Sequence, residues 1–247
     1  MTRLVPALTT VASACAVALS LPASAGASGS TGGAAMGPAP GSTPTAQPAN
    51  LTVSASADGM TIAAPESGVL RNPLEVTGSL PASDAGQTVE IEMSGARTGW
   101  IWQTVAQTQV RGDGSYLASW EPSRAGQFTV RAVVAQPGAT AATGLPTITV
   151  IVYRRAVATL YGPGFYGDRT ACGKVLRRKT LGVANRTLPC GTLVALKYRG
   201  RMMVVPVIDR GPYANGASWD LTMATGKALA MDTTATIGAV ALPRQSS

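Results

Sequence analysis

The residues of this chain that could do acid–base chemistry are few. The last third, residues 153–247, contains four carboxylic acids: Asp168, Asp209, Asp220 and Asp232. The whole chain of 247 residues contains no histidine, which excludes a Ser-His-Asp triad, a Cys-His dyad and a histidine-bound zinc. Three cysteines are too few for a four-thiolate metal site. We therefore expect any catalysis to rest on carboxyl, hydroxyl, thiol or amine groups, with no cofactor and no metal ion.

Asp209 is the acid whose position most favours chemistry. It follows the apolar run Met202–Ile208 and opens a Gly-Pro turn, a place where a strand end aims a side chain out of a sheet and into a groove. The alternative is structural, because an Asp at a turn commonly accepts backbone N–H groups, here that of Gly211. Asp220 also has two interpretations. It is either a supporting group of the site or an electrostatic or capping residue, since an acid two residues before the N-cap of a helix ordinarily has one of these structural roles.

The elements that must position these acids form an all-β domain with one short helix, predicted over residues 153–247. Arg199-Gly200 predicts a two-residue hairpin turn. Thr222 is a favourable N-cap for a short helix over Met223–Met231. The predicted strands lie near Ala156–Tyr161, Leu193–Tyr198, Met202–Ile208 and Gly238–Leu242.

Residues 51–152 predict a second all-β domain, a β-sandwich of six or seven strands, from short apolar runs of period two between turn residues. Its GQFTVRA segment, 126–132, resembles bacterial immunoglobulin-like modules. We expect a spacer or adhesion module whose Trp residues belong to the core rather than to a sugar-stacking surface. The predicted strands are Leu74–Leu80, Thr88–Met93, Trp100–Val110, Ser115–Trp120, Gln127–Val134 and Thr147–Val152.

The start of the chain indicates export. Residues 1–25 combine Arg3, an apolar stretch and the small-x-small site Ala23-Ser24-Ala25, which is typical of a signal peptide. Residues 26–50 are Gly, Ala, Ser, Thr and Pro without charge, and predict a disordered linker. We expect a secreted protein, extracellular or cell-wall associated, with no stable membrane span. In such a protein Cys172 and Cys190 predict a disulfide.

Five ordered blocks in the last third carry a family resemblance: ATLYGPGFYG (158–167), RTACG (169–173), NRTLPCGT (185–192), VIDRGPY (207–213) and WDLT (219–222). On these motifs the segment resembles the rare-lipoprotein-A-like (RlpA-like) double-psi β-barrel family, which includes septal lytic transglycosylases acting on peptidoglycan. The resemblance implies a six-stranded double-psi barrel over residues 153–247. This sequence departs from the family pattern at Lys174 and Asn185, where enzymatic members commonly carry Glu and His.

The resemblance also implies roles for named residues. Asp209 is the expected catalytic acid and base. In a lytic transglycosylase the muramoyl 6-hydroxyl attacks the anomeric carbon of the same sugar, so one carboxyl can first donate a proton and then accept one. The expected substrate-binding residues are Asn185, Arg210, Tyr213, Trp219, Asp220, Tyr161, Tyr166 and Lys174.

Charge indicates the partners. Residues 153–247 carry fourteen Lys or Arg against four Asp, a net charge of +10, whereas residues 51–152 carry −3. A positive field attracts polyanions, so we expect peptidoglycan glycan strands and anionic wall polymers as partners, no nucleic acid, and a monomer. Three functions stay open: a lytic transglycosylase, a non-catalytic wall-binding or expansin-like loosening module, and an adhesion protein that acts through its sandwich.

Overall fold

The computed structural model describes residues 47–48, 51–135, 144–213 and 216–243. The predicted signal peptide lies outside the described residues, and so does the predicted linker except for Gln47–Pro48. This pair forms strand β1, which lies antiparallel to Arg201 and Met202. Within the described ranges, no helix is both long and apolar enough to cross a membrane.

Residues 51–152 form two sheets. One has the strand order β2-β3-β5-β8, and the other the order β4-β10-β9-β6-β7. Two short 3-10 helices cover Ala82–Asp84 and Ala96–Thr98. The strands are β2 (Thr52–Ala57), β3 (Met60–Pro65), β4 (Ser67–Val69), β5 (Leu74–Ser79), β6 (Thr88–Ser94), β7 (Gln103–Gln109), β8 (Ser115–Trp120), β9 (Gly126–Val134) and β10 (Thr147–Tyr161).

One hydrophobic core joins the two sheets. In β9 every second residue is buried, so Phe128 and Val130 point inward as the period-two pattern predicted. Trp120 from the other sheet packs edge-on against Phe128, with ring centroids 6.1 Å apart. The buried Trp120 agrees with the expectation of a core position. The same expectation is wrong for Trp100, which is 62% exposed, and Trp102 is only half-buried, with the Arg131 guanidinium 4.1 Å above its ring. The immunoglobulin-like assignment of these sheets stays a prediction.

The last third folds into a closed barrel. Its strand order is β14-β11-β13-β12-β15-β10, and β10 also pairs with β14, which closes the ring of six strands that the resemblance implied. Side chains from all of these strands fill one apolar core. The elements that follow β10 are β11 (Val183–Ala184), β12 (Leu193–Tyr198), β13 (Arg201–Asp209), β14 (Trp219–Thr222), α1 (Met223–Leu229) and β15 (Ala235–Ala241).

Strand β10 belongs to both parts of the molecule. Residues 147–152 pair with β9, and residues 154–158 pair with β15. The predicted domain boundary between residues 152 and 153 therefore falls inside a single strand of 15 residues. Lys197 of β12 donates a hydrogen bond to Ser67 Oγ at 3.0 Å, which adds a polar contact between the two parts.

Two local predictions for the barrel are confirmed. Arg199 and Gly200 both have positive φ, 42° and 76°, the backbone that a two-residue hairpin requires. Thr222 caps α1, since its side-chain oxygen accepts a hydrogen bond from the Thr225 backbone N–H at 3.2 Å. The helix ends at Leu229, two residues before the predicted end, because Ala230 turns into the left-handed conformation.

Candidate active site

Two carboxylic acids flank the short strand β11 on the outer face of the barrel. Ala184 of β11 is in register with Asp209 of β13 on one side and with Asp220 of β14 on the other. Because neighbouring strands lie about 4.8 Å apart, the two backbone positions are about 10 Å from each other, and their side chains interact electrostatically. The fold therefore brings together the two acids that the sequence singled out.

The surroundings of Asp220 favour the protonated form of its carboxyl group. Burial raises its pKa above the ordinary value, and the nearby Asp209 carboxylate raises it further. A hydrogen bond from Thr159 Oγ1 to Asp220 Oδ1, 2.8 Å long, acts in the opposite direction. The capping alternative for Asp220 is not realised, because the predicted N-cap Thr222 caps the helix.

Asp209 is held by the backbone through one of its two oxygens. Its Oδ1 accepts hydrogen bonds from the N–H groups of Ala171 at 2.9 Å and Arg210 at 2.8 Å. The turn-capping alternative for Asp209 is therefore realised in part, but through these amides rather than through that of Gly211. No described residue donates a hydrogen bond to its Oδ2, which leaves this oxygen available for proton transfer.

The hydroxyl of Tyr161 completes the cluster. It is buried, and it has no hydrogen-bond partner among the residues that the structure describes. Burial raises the pKa of Tyr161, and Asp209 and Asp220 add to the effect, so the hydroxyl stays protonated. Its ring packs edge-on against Phe165 at 6.5 Å. Because buried polar groups in native proteins are almost always paired, this O–H is a candidate donor for a substrate contact.

The predicted disulfide between Cys172 and Cys190 is confirmed, with Cα atoms 5.7 Å apart. It fixes the loop whose Ala171 amide binds Asp209. Arg210 braces the same region, since its guanidinium donates to the Cys190 sulfur at 3.3 Å and to the Asn185 carbonyl at 3.4 Å. Arg210 therefore supports the loops and forms no ion pair with the carboxylates.

Both polar atoms of the Asn185 side chain form hydrogen bonds within the local structure. Its Oδ1 accepts hydrogen bonds from the N–H groups of Thr187 and Leu188, at 3.1 and 3.0 Å, and its Nδ2 donates to the Ser218 carbonyl at 3.3 Å. Its backbone N–H donates to the carbonyl of Asp209 at 3.2 Å. These hydrogen bonds show that the Asn185 side chain fixes the backbone around the site.

Several relatives with known names are similar to part of this chain. One from Synechocystis sp., named "Probable endolytic peptidoglycan transglycosylase RlpA", is 38% identical over 96 residues, 38% of this chain and 30% of the relative. A second with that name, from Aquifex aeolicus, is 42% identical over 81 residues, 32% of this chain and 36% of the relative. The "Endolytic peptidoglycan transglycosylase RlpA" of Campylobacter jejuni is 37% identical over 68 residues, 27% of this chain and 25% of the relative.

The family model described as lytic transglycolase matches residues 154–242. Residues 154–242 of this chain are similar to the RlpA-like double-psi β-barrel family. The match begins inside β10 and ends just after β15, so it covers all six strands of the RlpA-like barrel. The chain spans about a third or less of the length of the relatives it matches.

The remaining predicted substrate-binding residues are spread over the RlpA-like barrel. Tyr213 is 78% exposed and presents a free ring, whereas Trp219 is 8% exposed and packs into the barrel core. The Tyr166 ring lies under the guanidinium of Arg178 at 5.3 Å. Lys174 is exposed. Of these four, Tyr213 offers the largest accessible aromatic surface to a sugar.

Three contributors to the site were missed by the sequence analysis. Thr159 could have been found, because alternation along β10 places it on the same face as Tyr161. The backbone N–H of Ala171 could not have been found, because the residue type says nothing about which main-chain N–H binds a carboxylate. Arg186 was counted only as a positive charge, yet it donates hydrogen bonds to the carbonyls of Pro212 and Ala217 and so fixes the loop between Asp209 and Asp220.

Metal ligands do not assemble in the described part of the RlpA-like barrel or of the sheets before it. The structure shows no group of three or more His, Cys, Asp or Glu side chains there that could hold an ion.

Proposed function

We propose that this protein is a peptidoglycan lytic transglycosylase that cleaves glycan strands and leaves 1,6-anhydro-muramoyl ends. The observation that carries the proposal is the cluster of Asp209, Asp220 and the unpartnered Tyr161 hydroxyl on one face of the barrel. The relatives named as endolytic peptidoglycan transglycosylases support it. With the predicted signal peptide, this activity places the mature protein in the cell wall.

The proposed reaction divides two proton transfers between the carboxyl groups. Asp220, whose pKa is raised, donates its proton to the glycosidic oxygen as the bond from that oxygen to the anomeric carbon breaks. The 6-hydroxyl of the muramoyl sugar forms the new bond to the anomeric carbon, and Asp209 Oδ2 accepts the hydroxyl proton. Transfer of this proton back to Asp220 resets the pair. The sequence analysis assigned both transfers to Asp209, and the raised pKa of Asp220 is the reason to divide them.

Tyr161 has a supporting role in this scheme. Its hydroxyl can donate a hydrogen bond only while protonated, and the raised pKa keeps it so. A neutral donor near the two carboxyl groups can hold the departing sugar oxygen or steady the charged carboxylate. Asn185, Arg210 and the disulfide then act as positioning groups, because their contacts fix the loops around Asp209.

Incubation of the mature protein with purified peptidoglycan in water enriched in oxygen-18 tests the proposal. We expect mass spectrometry to detect 1,6-anhydro-muramoyl ends without the heavy isotope, because no water enters the product. Asp209→Asn removes the product, and the matched control Asp232→Asn, which changes an exposed acid elsewhere in the barrel, retains it. Products that carry oxygen-18 would indicate a hydrolase, and the absence of any product would remove the catalytic proposal.

A non-catalytic peptidoglycan-binding or wall-loosening module is the second candidate. The observation that favours it is that Asn185 and one oxygen of Asp209 are occupied by hydrogen bonds within the protein. In that case wild type and Asp209→Asn pellet equally with the wall, and neither releases anhydro products.

We further propose that residues 51–152 are an immunoglobulin-like spacer that carries the barrel beyond the predicted linker, and that the protein acts as a monomer. Light scattering on the mature protein tests the second point. A mass near that of one chain supports it, and a mass near that of two contradicts it.

A further inference from the structure

The densest positive charge of the chain lies on residues 174–179 (KVLRRK) of the barrel, which we call the basic turn. None of its cationic side chains forms an ion pair with a described carboxylate. The nearest acid along the chain, Asp168, forms no ion pair within the described ranges either. The basic turn contains four cationic side chains and no acid, and all four are exposed: Lys174, Arg177, Arg178 and Lys179.

The basic turn is fixed to the barrel by its apolar residues and its backbone. Leu176 is buried, and its N–H donates a hydrogen bond to the Asp168 carbonyl at 2.9 Å. The Leu176 carbonyl in turn accepts a hydrogen bond from the Gly167 N–H at 2.9 Å. Val175 is partly buried. The surface that the basic turn presents to solvent is therefore charged and has little apolar area.

The second half of the basic turn brings two of its cations close together. The Thr180 N–H donates to the Arg177 carbonyl at 3.0 Å, so Arg178 and Lys179 occupy the central positions of a four-residue turn. The Arg178 guanidinium lies 5.3 Å from the centre of the Tyr166 ring, a cation–π contact that orders this side chain while it stays exposed.

Such a concentration of like charge is unfavourable for the protein on its own. Neighbouring cations repel each other, and an acid between them relieves the repulsion. The sheet of β6, β7 and β9 uses this solution, because it pairs Arg131 with Glu92. The basic turn has no such acid, so a bound polyanion would supply the missing negative charge.

The exposure of the basic turn indicates a linear polymer as its ligand. Sites for small molecules are concave and enclose the ligand, whereas these four cations stand on an exposed turn. A chain with one negative charge on each unit can contact several of them at once and release counterions. Guanidinium groups match phosphate oxygens with paired hydrogen bonds. An anionic membrane is the less suitable partner, because residues 174–179 present no large exposed apolar side chain to enter it.

The basic turn is connected to the candidate active site through its first residue. The Lys174 carbonyl accepts a hydrogen bond from the Thr170 N–H at 2.8 Å, and the Lys174 N–H donates to Thr170 Oγ1 at 3.2 Å. The residue after Thr170 is Ala171, whose N–H donates to Asp209 Oδ1 at 2.9 Å. A polymer bound at the basic turn therefore lies beside the loop that holds Asp209.

We propose that the basic turn binds a phosphodiester polymer of the cell wall and so holds the barrel where that polymer accompanies the glycan strands. The polyanionic class of the ligand follows from the unpaired charges, and its place in the wall follows from the predicted export signal. This binding does not require the reaction at Asp209 and Asp220, so its test is separate from that of the proposed function.

The test measures the affinity of the mature protein for poly(glycerol phosphate) over a range of salt concentrations. The variant carries Arg177→Gln with Lys179→Gln. The control carries Arg199→Gln with Arg201→Gln, which removes the same charge from the exposed β12–β13 hairpin of the same barrel. Two further probes are polyglutamate, a carboxylate polymer, and phosphatidylcholine vesicles that contain phosphatidylglycerol. Melting temperatures confirm that both variants are folded.

We expect the wild-type protein to prefer poly(glycerol phosphate) to both other probes and to lose affinity as the salt concentration rises. For single strands of nucleic acid, which are also flexible phosphodiester chains, each phosphate contact contributes about 0.7 to the slope of log affinity against log salt. Loss of two contacts in the Arg177 and Lys179 variant therefore lowers the slope by about 1.4 and the affinity at low salt by about tenfold or more. The control keeps most of the wild-type slope and affinity.

Equal losses in the two variants would show that only the net charge matters, and would overturn the inference. Absence of binding to poly(glycerol phosphate) would do the same. Equal or tighter binding to polyglutamate would indicate a carboxylate ligand, and equal or tighter binding to the vesicles would indicate a membrane surface, so either result contradicts the proposal. None of these results bears on the formation of anhydro ends from purified peptidoglycan, and failure of that assay leaves the binding result intact.

Discussion

Carboxylates differ in their hydrogen bonding between two surfaces of the molecule, the outer face of the β6, β7 and β9 sheet and the outer face of the barrel. On the sheet, Glu90 accepts hydrogen bonds at both oxygens, from Thr104 at 3.1 Å and Gln107 at 2.8 Å. Its neighbour Glu92 forms an ion pair with Arg131 at 2.7 Å. On the barrel, Asp209 and Asp220 each have one oxygen bonded and one without a described partner.

The difference distinguishes carboxylates that stabilise the fold from carboxyl groups that are available to react. Cross-strand pairs such as those of Glu90 stabilise a sheet by small amounts and leave no group free to react. On the barrel face, burial instead raises the pKa of the Asp220 carboxyl, backbone amides hold Asp209 in place, and the buried Tyr161 hydroxyl has no partner among the described residues. An unsatisfied buried group costs stability, so the unpaired Tyr161 hydroxyl beside two acids is consistent with a site that gives up stability for function.

Loss of the proton donor gives the largest expected effect. Asp220→Asn keeps the size of the side chain but cannot donate an acidic proton, so we expect formation of anhydro products to fall at least about a hundredfold. The matched change on the sheet, Glu90→Gln, leaves the rate unchanged. Initial rates of product release measured by mass spectrometry compare the two. Equal rates for Asp220→Asn and wild type would contradict the claim that the carboxyl groups of the barrel face, unlike those of the sheet, take part in the reaction.

Removal of the disulfide is expected to destabilise the barrel more than the preceding sheets. Cys172→Ser with Cys190→Ser opens a loop of this size at a cost of about 3 kcal/mol in the chain-entropy model. Hydrogen exchange followed by mass spectrometry reports each region separately. We expect faster exchange in β11 to β14 and unchanged exchange in β6, β7 and β9. An equal loss in both regions would show that the shared strand β10 makes them one cooperative unit.

Tyr161→Phe separates stability from activity. Removing a buried hydroxyl that has no partner is expected to leave the free energy of unfolding unchanged or raise it by about 1 kcal/mol. The same change removes a donor from the site, so the rate falls about tenfold. Denaturant titration and product assays measure the two effects. A fall in stability would indicate that the hydroxyl has a structural partner.

Thr159→Val gives the smallest effect, a shift in the pH profile. The hydrogen bond from Thr159 lowers the pKa of Asp220, so its loss moves that pKa further up. Because the donor must be protonated, activity falls as the pH rises through this pKa, and the alkaline limb of kcat moves to higher pH. Thr159→Ser keeps the hydroxyl and the original profile, and Thr104→Val on the sheet leaves it unchanged. A shift to lower pH would contradict the role of Asp220 as donor.

Local patterns predicted most strands because the burial of alternate residues leaves a period of two in the sequence. Ser115–Trp120 was predicted with the observed bounds. The hairpin of β2 and β3 was missed, although Asp58-Gly59, with φ of 49° and 78°, is a strong turn signal. The continuity of β10 across residue 152 could not be predicted, since it depends on partners far away in the chain.

The sequence predicted which residues form the site better than it predicted the contacts among them. Asp209, Asp220, Tyr161 and the cysteine pair stood out by type and motif. That Ala171 donates to Asp209, or that Thr159 donates to Asp220, follows only from the three-dimensional path of loops and strands. The raised pKa of Asp220 depends on burial, which no residue count reveals.

A four-member variant cycle tests the central claim, that Asp209 and Asp220 act as one proton-transferring pair. Single-turnover rates of anhydro-end formation are measured for wild type, Asp209→Asn, Asp220→Asn and the double variant. We predict that each single change lowers the rate at least about a hundredfold and that the double variant is no slower than the slower single variant. A single variant within a few-fold of the wild-type rate, making the same product, would contradict the account.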